Sequence, residues 1–210
     1  MGSTRERRRM NNGTPKPIHE HAATDSALAT MARNGNAAAW GILASRHYEP
    51  LFRWLWRLCG KHEVAEDLAQ DAFMRAFTKI ELFQEGTQFR AWLFRIGHNL
   101  WANHCRSMSR RGTTGLEAAA ETTDPSPAAD DPSRIVGDRE EIDQLKNRMR
   151  ELPQDWQEAL LMRAEGGLSF REIASIQSVT EETARWRVFK ARQRLTSENN
   201  QMLEKLEEKG

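Results

Sequence analysis

Two stretches of the chain concentrate positive charge that could bind an anionic partner. Residues 89–111 hold five arginines, residues 183–195 hold four arginines and one lysine, and neither stretch contains an acidic residue. An acidic segment at 112–138 separates them and carries a net charge of −5, whereas the whole chain carries +1. Clustered basic side chains attract phosphate groups, so this distribution predicts two separate anionic contacts.

The sequence contains no residue set that would carry out covalent chemistry. It has no glycine-rich phosphate loop, no Ser/His/Asp set and no metal-ligand spacing. Cys59 and Cys105 lack a zinc or redox spacing and fit a reducing cytosol. Asp67 and Asp71 lie four residues apart but have no histidine partner. We therefore expect a binding protein with no catalytic residue, no cofactor and no metal.

The composition predicts an all-α protein. Val and Ile together number 12 of 210 residues, whereas Ala alone numbers 25. Sheets favour β-branched and aromatic residues and helices favour Ala, so all-β and extended parallel-sheet folds are disfavoured. No apolar run reaches the ~18–20 residues that cross a bilayer, and the charged N-terminus lacks the apolar centre of a secretory signal.

Apolar spacing divides the chain into two helical modules on either side of a linker at 112–133, which is rich in Pro, Gly and acids. Because this linker has little to bury, we expect two small bundles that do not share a core. Helical periodicity in the first module predicts four helices, at about 26–33, from a cap at Asn36 to Gly60, at 63–80, and from Phe89 to about Ser107.

Start signals organise the second module. Asp155 followed by Glu158 has the spacing of a capping pattern, and Ser169 followed by Glu172 is a clear capping box. Thr180 is placed to cap a last long helix that continues past Leu195. A short helix, a tight break and a longer helix over 169–195 have the proportions of a helix-turn-helix.

The last helix has two contrasting faces. At 100° per residue, small and aliphatic side chains converge into a seam that we expect to be buried, formed by Ala184, Val188, Ala191 and Leu195. Trp186, Phe189 and Lys190 lie opposite, where a solvated helix needs no aromatic rings. In a DNA groove such rings contact sugars and thymine methyl groups. The alternative is that Trp186 packs on a neighbouring element.

These residues resemble the bacterial RNA polymerase sigma factors of the extracytoplasmic-function (ECF) group. The first module matches through residues 65–77 (AEDLAQDAFMRAF) and 89–99 (FRAWLFRIGHN). The second matches through 167–174 (GLSFREIA) and 182–195 (ETARWRVFKARQRL). The resemblance implies a basic tail, sigma domain two, a linker, sigma domain four and a C-terminal tail, at 1–24, 25–111, 112–137, 138–200 and 201–210.

In this family an acidic helical region docks on the clamp helices of the largest polymerase subunit. Residues 61–85 carry a net charge of −3. The resemblance places core-polymerase binding on Asp67, Gln70 and Asp71. Ordinary helix surface charge is the alternative.

The same resemblance places capture of a flipped −10 base on the loop before the fourth helix and on that helix. An apolar wall and an amide are suited to hold and read such a base. Core packing of Phe83 and Ile96, and padding of Trp92 by Asn99, are the alternatives. The implied −10 contacts are Phe83, Gln84, Glu85, Gly86, Thr87, Gln88, Ile96, Asn99, Arg106, Arg110 and Arg111.

The second module is implied to read the −35 element through the helix-turn-helix. Lys190 stands where the family commonly has Arg, and Trp186 where a small residue is common, so the preferred sequence is left open. Lys does not reproduce the two-pronged contact of Arg with guanine. The implied −35 contacts are Arg185, Trp186, Phe189, Lys190 and Arg192.

The implied partners are core RNA polymerase (largest-subunit clamp helices and second-largest subunit), promoter DNA and an anti-sigma factor, in the cytoplasm and without membrane insertion. The implied function is promoter-specific initiation with opening of the −10 region. A free-standing helix-turn-helix regulator is the alternative, although it leaves the first module unexplained.

Overall fold

The computed structural model describes residues 23–84, 86–112, 144–145 and 147–207, with side chains at 23–84, 86–110, 144–145 and 147–196. This part of the chain consists of helices and connecting turns and contains no strand, which confirms the all-α prediction. The N-terminal tail up to residue 22, the linker at 113–137 and residues 208–210 lie outside the described residues.

The first module is built from long helices joined by short turns. Asn36 caps the second helix as predicted, since its side chain accepts a hydrogen bond from Ala39 N at 3.1 Å. Gly60 ends that helix in the left-handed conformation, with φ of 69°. The elements are α1 (Asp25–Arg33), α2 (Ala37–Cys59), α3 (His62–Thr78), a 3₁₀ turn (Ile80–Leu82) and α4 (Phe89–Gly112).

The second module contains α5 (described at 144–145 and 147–151), α6 (Gln154–Ala164), α7 (Phe170–Gln177) and α8 (Glu181–Glu207). The capping box that begins α7 is confirmed. The Ser169 hydroxyl accepts from Glu172 N at 3.2 Å, and the Glu172 carboxylate accepts from Ser169 N at 2.7 Å. Thr180 caps α8, because its hydroxyl accepts from Thr183 N at 3.2 Å.

The predicted capping of α6 by Asp155 is wrong. The helix begins one residue earlier, with Pro153 at the cap and no side-chain cap bond. Glu158 is instead buried, with 4% of its surface exposed. Its carboxylate accepts hydrogen bonds from Trp101 Nε1 at 3.1 Å and Gln154 Nε2 at 2.8 Å, and lies 3.0 Å from His98 Nε2. A buried carboxylate needs several donors, and α4 supplies two of these three partners.

The two modules pack directly against each other, so the expectation that they do not share a core is wrong. Helices α2 and α4 contact α6 and α7, and buried residues of both modules form one hydrophobic cluster. Close approach depends on Gly166, where an added Cβ would lie 2.8 Å from Phe94 Cε1.

Ion pairs and hydrogen bonds of arginine side chains also join the two modules. Glu165, at the end of α6, pairs with Arg57 Nε at 2.5 Å and Arg53 Nε at 3.2 Å on α2. Arg90 donates to the Gly166 carbonyl at 3.1 Å, and Arg95 donates to the Ser175 hydroxyl at 2.5 Å. Two arginines of the first basic stretch are therefore engaged between the modules.

Candidate nucleic-acid and protein interfaces

The helix-turn-helix predicted over 169–195 is formed by α7 and α8. Between them, Ser178 adopts the left-handed conformation with φ of 56°, which ends α7 and begins the three-residue turn that leads to α8. The predicted seam of α8 packs inward: Ala184, Val188 and Ala191 are buried, and Leu195 is half-buried. The opposite face of α8 is therefore directed away from the module.

Two large aromatic rings lie on that outward face. Trp186 is 49% exposed and Phe189 is 60% exposed. Trp186 also packs edge-on against Trp156 of α6, with ring centroids 5.1 Å apart and an interplanar angle of 84°. One edge of Trp186 thus packs on a neighbour, as the alternative expects, while half of the ring faces solvent, and its contact with DNA stays a prediction.

The cations around these rings fall into two groups. Arg187 is only 15% exposed and donates to Asp155 at 2.7 Å and to Gln177 at 2.9 Å, so it holds α8 onto α6 and α7. Arg185 lies outward, pairs with Glu181 at 3.1 Å and stacks over the Phe170 ring at 5.1 Å. The remaining two cations with predicted −35 contacts are Lys190, which donates to Gln193 at 3.0 Å, and the exposed Arg192.

The acidic face predicted for polymerase docking lies on α3. Asp67, Gln70 and Asp71 are all exposed, and the Gln70 amide donates to Glu66 at 3.3 Å. One turn further, Met74 is 63% exposed and Phe77 is 52% exposed. Neither apolar residue is among the docking residues that the family resemblance implies, although their spacing of four and seven from Gln70 places them on the same helix face.

The loop before α4 forms a tight turn with exposed polar side chains. Thr87 donates to the Gln84 carbonyl from its hydroxyl at 2.6 Å and from its amide at 3.2 Å. Gly86 has φ of 86°, a conformation that side-chain-bearing residues rarely adopt. Gln84, Thr87 and Gln88 are exposed, whereas Glu85 lies outside the described residues.

Phe83 is 3% exposed and packs into the first module, with its ring 5.5 Å from Trp92 and 5.8 Å from Phe89. This position agrees with the core-packing alternative for Phe83. On α4, Ile96 is half-buried and Asn99 is exposed. Trp92, Ile96 and Asn99 follow one helical stripe, so of the predicted apolar wall only Ile96 shares a face with the Asn99 amide. Trp92 was missed as a wall residue, although the same spacing identifies it.

The basic end of α4 is open to solvent. Arg106 is exposed and donates to the Asn103 side chain at 2.7 Å and to the Ala102 carbonyl at 3.2 Å. Arg110 is exposed and donates to the Arg106 carbonyl at 3.4 Å. The side chain of Arg111 lies outside the described residues. The two described arginines extend the face of Asn99 along the same helix.

Two helical modules, one with a helix-turn-helix whose outward face is aromatic and basic, define a DNA-binding protein. Family models agree: Sigma-70 region 2 matches residues 43–111 and Sigma-70, region 4 matches residues 142–195. The chain therefore belongs to the sigma-70 family and, within it, to the ECF group of RNA polymerase sigma factors, which direct transcription initiation at promoters.

Individual relatives support this assignment. The chain is 34% identical over 171 residues to the ECF RNA polymerase sigma factor SigE of Mycolicibacterium smegmatis, a match covering 80% of this chain and 65% of that protein. It is 29% identical over 175 residues to the ECF RNA polymerase sigma-E factor of Haemophilus influenzae, covering 81% and 92%.

Solved structures show the same fold. RpoE of Bartonella quintana, in complex with the anti-sigma factor NepR, aligns with a TM-score of 0.61 at 26% identity, over 74% of this chain and 92% of that one. CnrH in complex with the cytosolic domain of CnrY aligns with a TM-score of 0.62 at 24% identity, over 84% and 97%. Among the described residues, no helix is both long enough and apolar enough to cross a membrane.

Proposed function

We propose that this chain binds core RNA polymerase through its first module and recognises a −10 element with α4 and a −35 element with α8. The observation that carries the proposal is the exposed aromatic and basic face of α8, joined in one chain to a module whose α3 presents an acidic, partly apolar face. A free-standing regulator would need the first feature but not the second.

Docking on the clamp helices of the largest polymerase subunit is assigned to Asp67, Gln70 and Asp71. Their side chains are exposed, and Met74 and Phe77 add apolar area beside them. Exposed apolar groups next to charges are typical of binding hot spots, since the charges set orientation and the apolar area supplies affinity. We assign contact with the second-largest subunit to the linker and the second module.

The docking assignment has a direct test. Asp67→Ala with Asp71→Ala removes two exposed carboxylates that make no described hydrogen bond in the fold, so helical content is expected to stay unchanged while core affinity falls about tenfold or more. Glu49→Ala, which removes an exposed acid from α2, is the matched control. Unchanged core affinity in a pull-down would remove the two aspartates from the docking surface.

At the −10 element, we assign the flipped base to the face formed by Trp92, Ile96 and Asn99. The half-buried apolar residues supply a wall and the exposed amide supplies a donor and an acceptor. Phe83 supports this wall from beneath through its contact with Trp92. The exposed loop side chains and the arginines at the end of α4 then hold the adjoining backbone.

Simultaneous binding of both elements requires the two modules to separate. Elements 25 base pairs apart are about 85 Å apart along a duplex that rises 3.4 Å per base pair. In the packed arrangement, Arg95 of α4 lies 2.5 Å from Ser175 of α7. We propose that the packed arrangement is the form that precedes promoter binding and that it opens on the polymerase.

Two further assignments rest on the relatives. The solved CnrH and RpoE structures contain CnrY and the anti-sigma factor NepR, respectively, and we propose that an anti-sigma factor also controls this chain. We place the chain in the cytoplasm, at the nucleoid when bound to polymerase, and assign it no catalytic activity of its own.

The dependence of DNA binding on polymerase distinguishes the proposed function from that of a free-standing regulator. We expect a promoter fragment to be shifted in a gel only when this chain and core polymerase are both present, because the packed modules do not span both elements. Sequence-specific binding by the chain alone, unchanged on adding core, would support the free-standing regulator.

A further inference from the structure

The centre of the outward face of α8 is apolar, which is unusual for a surface expected to meet DNA. Trp186 and Phe189 are one helical turn apart and are among the few large hydrophobic residues that the described chain exposes. Ala184 and Val188 are buried within the module, whereas about half of each of these two aromatic side chains is exposed. The two rings therefore form a prepared apolar contact, which we name the aromatic pair.

One member of the aromatic pair, Trp186, packs against a neighbouring ring. Trp156 of α6 is half-buried and meets Trp186 edge-to-face at 5.1 Å, a favoured geometry for two aromatic rings. This contact restricts the rotamers of Trp186 while leaving half of its surface open. A fixed ring loses little conformational freedom on binding, so its contact becomes selective.

Charged groups flank the aromatic pair without covering it. Arg185 is directed by Glu181 and by the Phe170 ring, and Lys190 donates to Gln193. Such cations suit the phosphates at the edges of a groove. The Phe189 ring presents only carbon and hydrogen. The Trp186 ring does so everywhere except at its indole Nε1–H, which is a donor, and neither ring offers an acceptor.

We propose that the aromatic pair reads thymine methyl groups in the major groove of the −35 element, with Trp156 as a positioning residue. This inference rests on the proposed function of α8. Among the four bases, only thymine presents an apolar group in the major groove, its C5 methyl, whereas guanine, cytosine and adenine present donors and acceptors. An apolar surface pressed against those polar edges leaves them unpaired, which disfavours them. The preferred −35 element thus contains thymine on one strand opposite the pair.

The test replaces thymine by deoxyuridine, which lacks only the methyl group. Templates are first selected from a library randomised at the −35 element by transcription with core polymerase and this chain. Each −35 thymine is then replaced singly, on either strand, and initial transcription rates are compared at subsaturating protein. Burying one methyl group predicts about a fourfold lower rate with deoxyuridine at the contacted position.

Variants connect that loss to the aromatic pair. Trp186→Ala and Phe189→Ala are expected to lower the rate on the thymine template and to bring the thymine-to-deoxyuridine ratio to about one at the position each ring contacts. Leu145→Ala, which removes an exposed apolar side chain from α5, is the control and keeps the full ratio. Restoring the methyl as 5-methylcytosine paired with guanine is expected to recover part of the rate relative to cytosine.

Trp156 needs a readout that distinguishes positioning from folding. Trp156→Ala is expected to halve the thymine-to-deoxyuridine ratio or more, and Trp156→Phe is expected to restore it, because a phenyl ring supplies the same edge contact. Core binding is expected to remain unchanged in both variants. A ratio that stays at the wild-type value in Trp156→Ala would overturn the positioning role.

Two results would overturn the methyl-reading proposal. Equal rates on thymine and deoxyuridine templates at every −35 position would do so while leaving the proposed function intact, since promoter-specific transcripts would still form. Full deoxyuridine sensitivity in both Trp186→Ala and Phe189→Ala would do the same. The absence of any selected template with core polymerase would overturn the proposed function and this inference together.

Discussion

The contact between the modules and the outward face of α8 both contain aromatic and charged side chains. These side chains are buried and hydrogen-bonded at the module contact, whereas the aromatic rings on α8 are exposed. At the module contact, Trp101 and Glu158 are almost fully buried, and the Glu158 carboxylate has donors from both modules. On α8, Trp186 and Phe189 remain about half exposed, with their outward edges unpartnered by the described chain. Buried polar groups that have hydrogen-bond partners stabilise a fold, whereas exposed apolar area marks a surface that binds another molecule.

Removing the buried carboxylate at the module contact is expected to destabilise the protein most. Glu158→Ala removes a buried carboxylate and leaves Trp101 Nε1 and Gln154 without their acceptor, which costs about 3 kcal/mol of unfolding free energy. Glu151→Ala, at an exposed position of α5, is the control. Urea unfolding measures the difference, and equal midpoints for the two variants would show that Glu158 contributes nothing to the packed form.

A second change tests close approach without removing a polar side chain. In Gly166→Ala the new Cβ would lie 2.7 Å from the Met162 carbonyl oxygen and 2.8 Å from Phe94, so either the modules shift apart or the site is strained, at about 2 kcal/mol. Gly41→Ala is the opposite case, because nothing lies within 4 Å of its added Cβ and a helical Ala is favoured by about 0.5–1 kcal/mol. The midpoint temperature of thermal unfolding should therefore fall in Gly166→Ala and rise in Gly41→Ala. A shift in the same direction in both variants would show that close approach at Gly166 does not matter.

The −10 face, like α8, exposes a side chain that the fold does not need. Asn99 is exposed, so Asn99→Ala should leave folding intact while removing one base contact, which lowers open-complex formation by about tenfold. The loss should shrink on a template whose −10 base is already changed, because both losses share one contact. If Asn99 only pads Trp92, the variant will instead lose thermal stability and keep the same relative activity on both templates.

The smallest effect concerns a buried histidine on α2. His47 Nε2 lies 2.6 Å from Asp25, and burial lowers the pKa of His47 below its ordinary 6.5, although Asp25 opposes the shift. Arg46 and Arg90 also disfavour the charged ring. Because the unfolded chain binds the proton more tightly, stability should be complete above pH 6.5 and fall as the pH drops below it.

The Asp25 carboxylate beside His47 titrates at a lower pH than His47. Burial acts to raise the pKa of Asp25, but the Arg46 hydrogen bond and His47 outweigh it, so the pKa lies below 3.8 and its contribution is lost only in stronger acid. Unfolding free energies at pH 7.5 and pH 5 should therefore differ less in His47→Gln than in the wild type. An unchanged difference would assign the acid sensitivity to other groups.

Much of the fold could be predicted because it follows from local rules. The Asn36 cap, the Ser169 capping box and the Ala184–Ala191 seam each depend on a few neighbouring residues. The role of Glu158 could not be predicted, since a Glu three residues after an Asp matches a cap equally well. Its burial depends on Trp101 and His98, more than fifty residues away, and only the assembled fold brings them together.

In the candidate sites too, some features follow from local sequence and others depend on how the helices pack. The outward direction of Trp186 and Phe189 follows from helical phase alone and was predicted. The burial of Phe83 and the exposure of Met74 and Phe77 depend on how α3 and the following loop pack, which periodicity does not define. The role assigned to Phe83 came from the family resemblance, whereas that of Met74 and Phe77 follows from their exposure beside the acidic face of α3. The assignments to individual bases and polymerase contacts stay predictions.

Run-off transcription with core RNA polymerase, with and without this chain, tests the central claim most directly. A library of bacterial promoter fragments is transcribed, and the 5′ ends of the products are mapped. We expect discrete start sites that appear only when the chain is added, each preceded by shared −10 and −35 sequences, the latter containing thymine. Identical products with and without the chain, in a sample where it binds core polymerase, would contradict the assignment of promoter recognition to this protein.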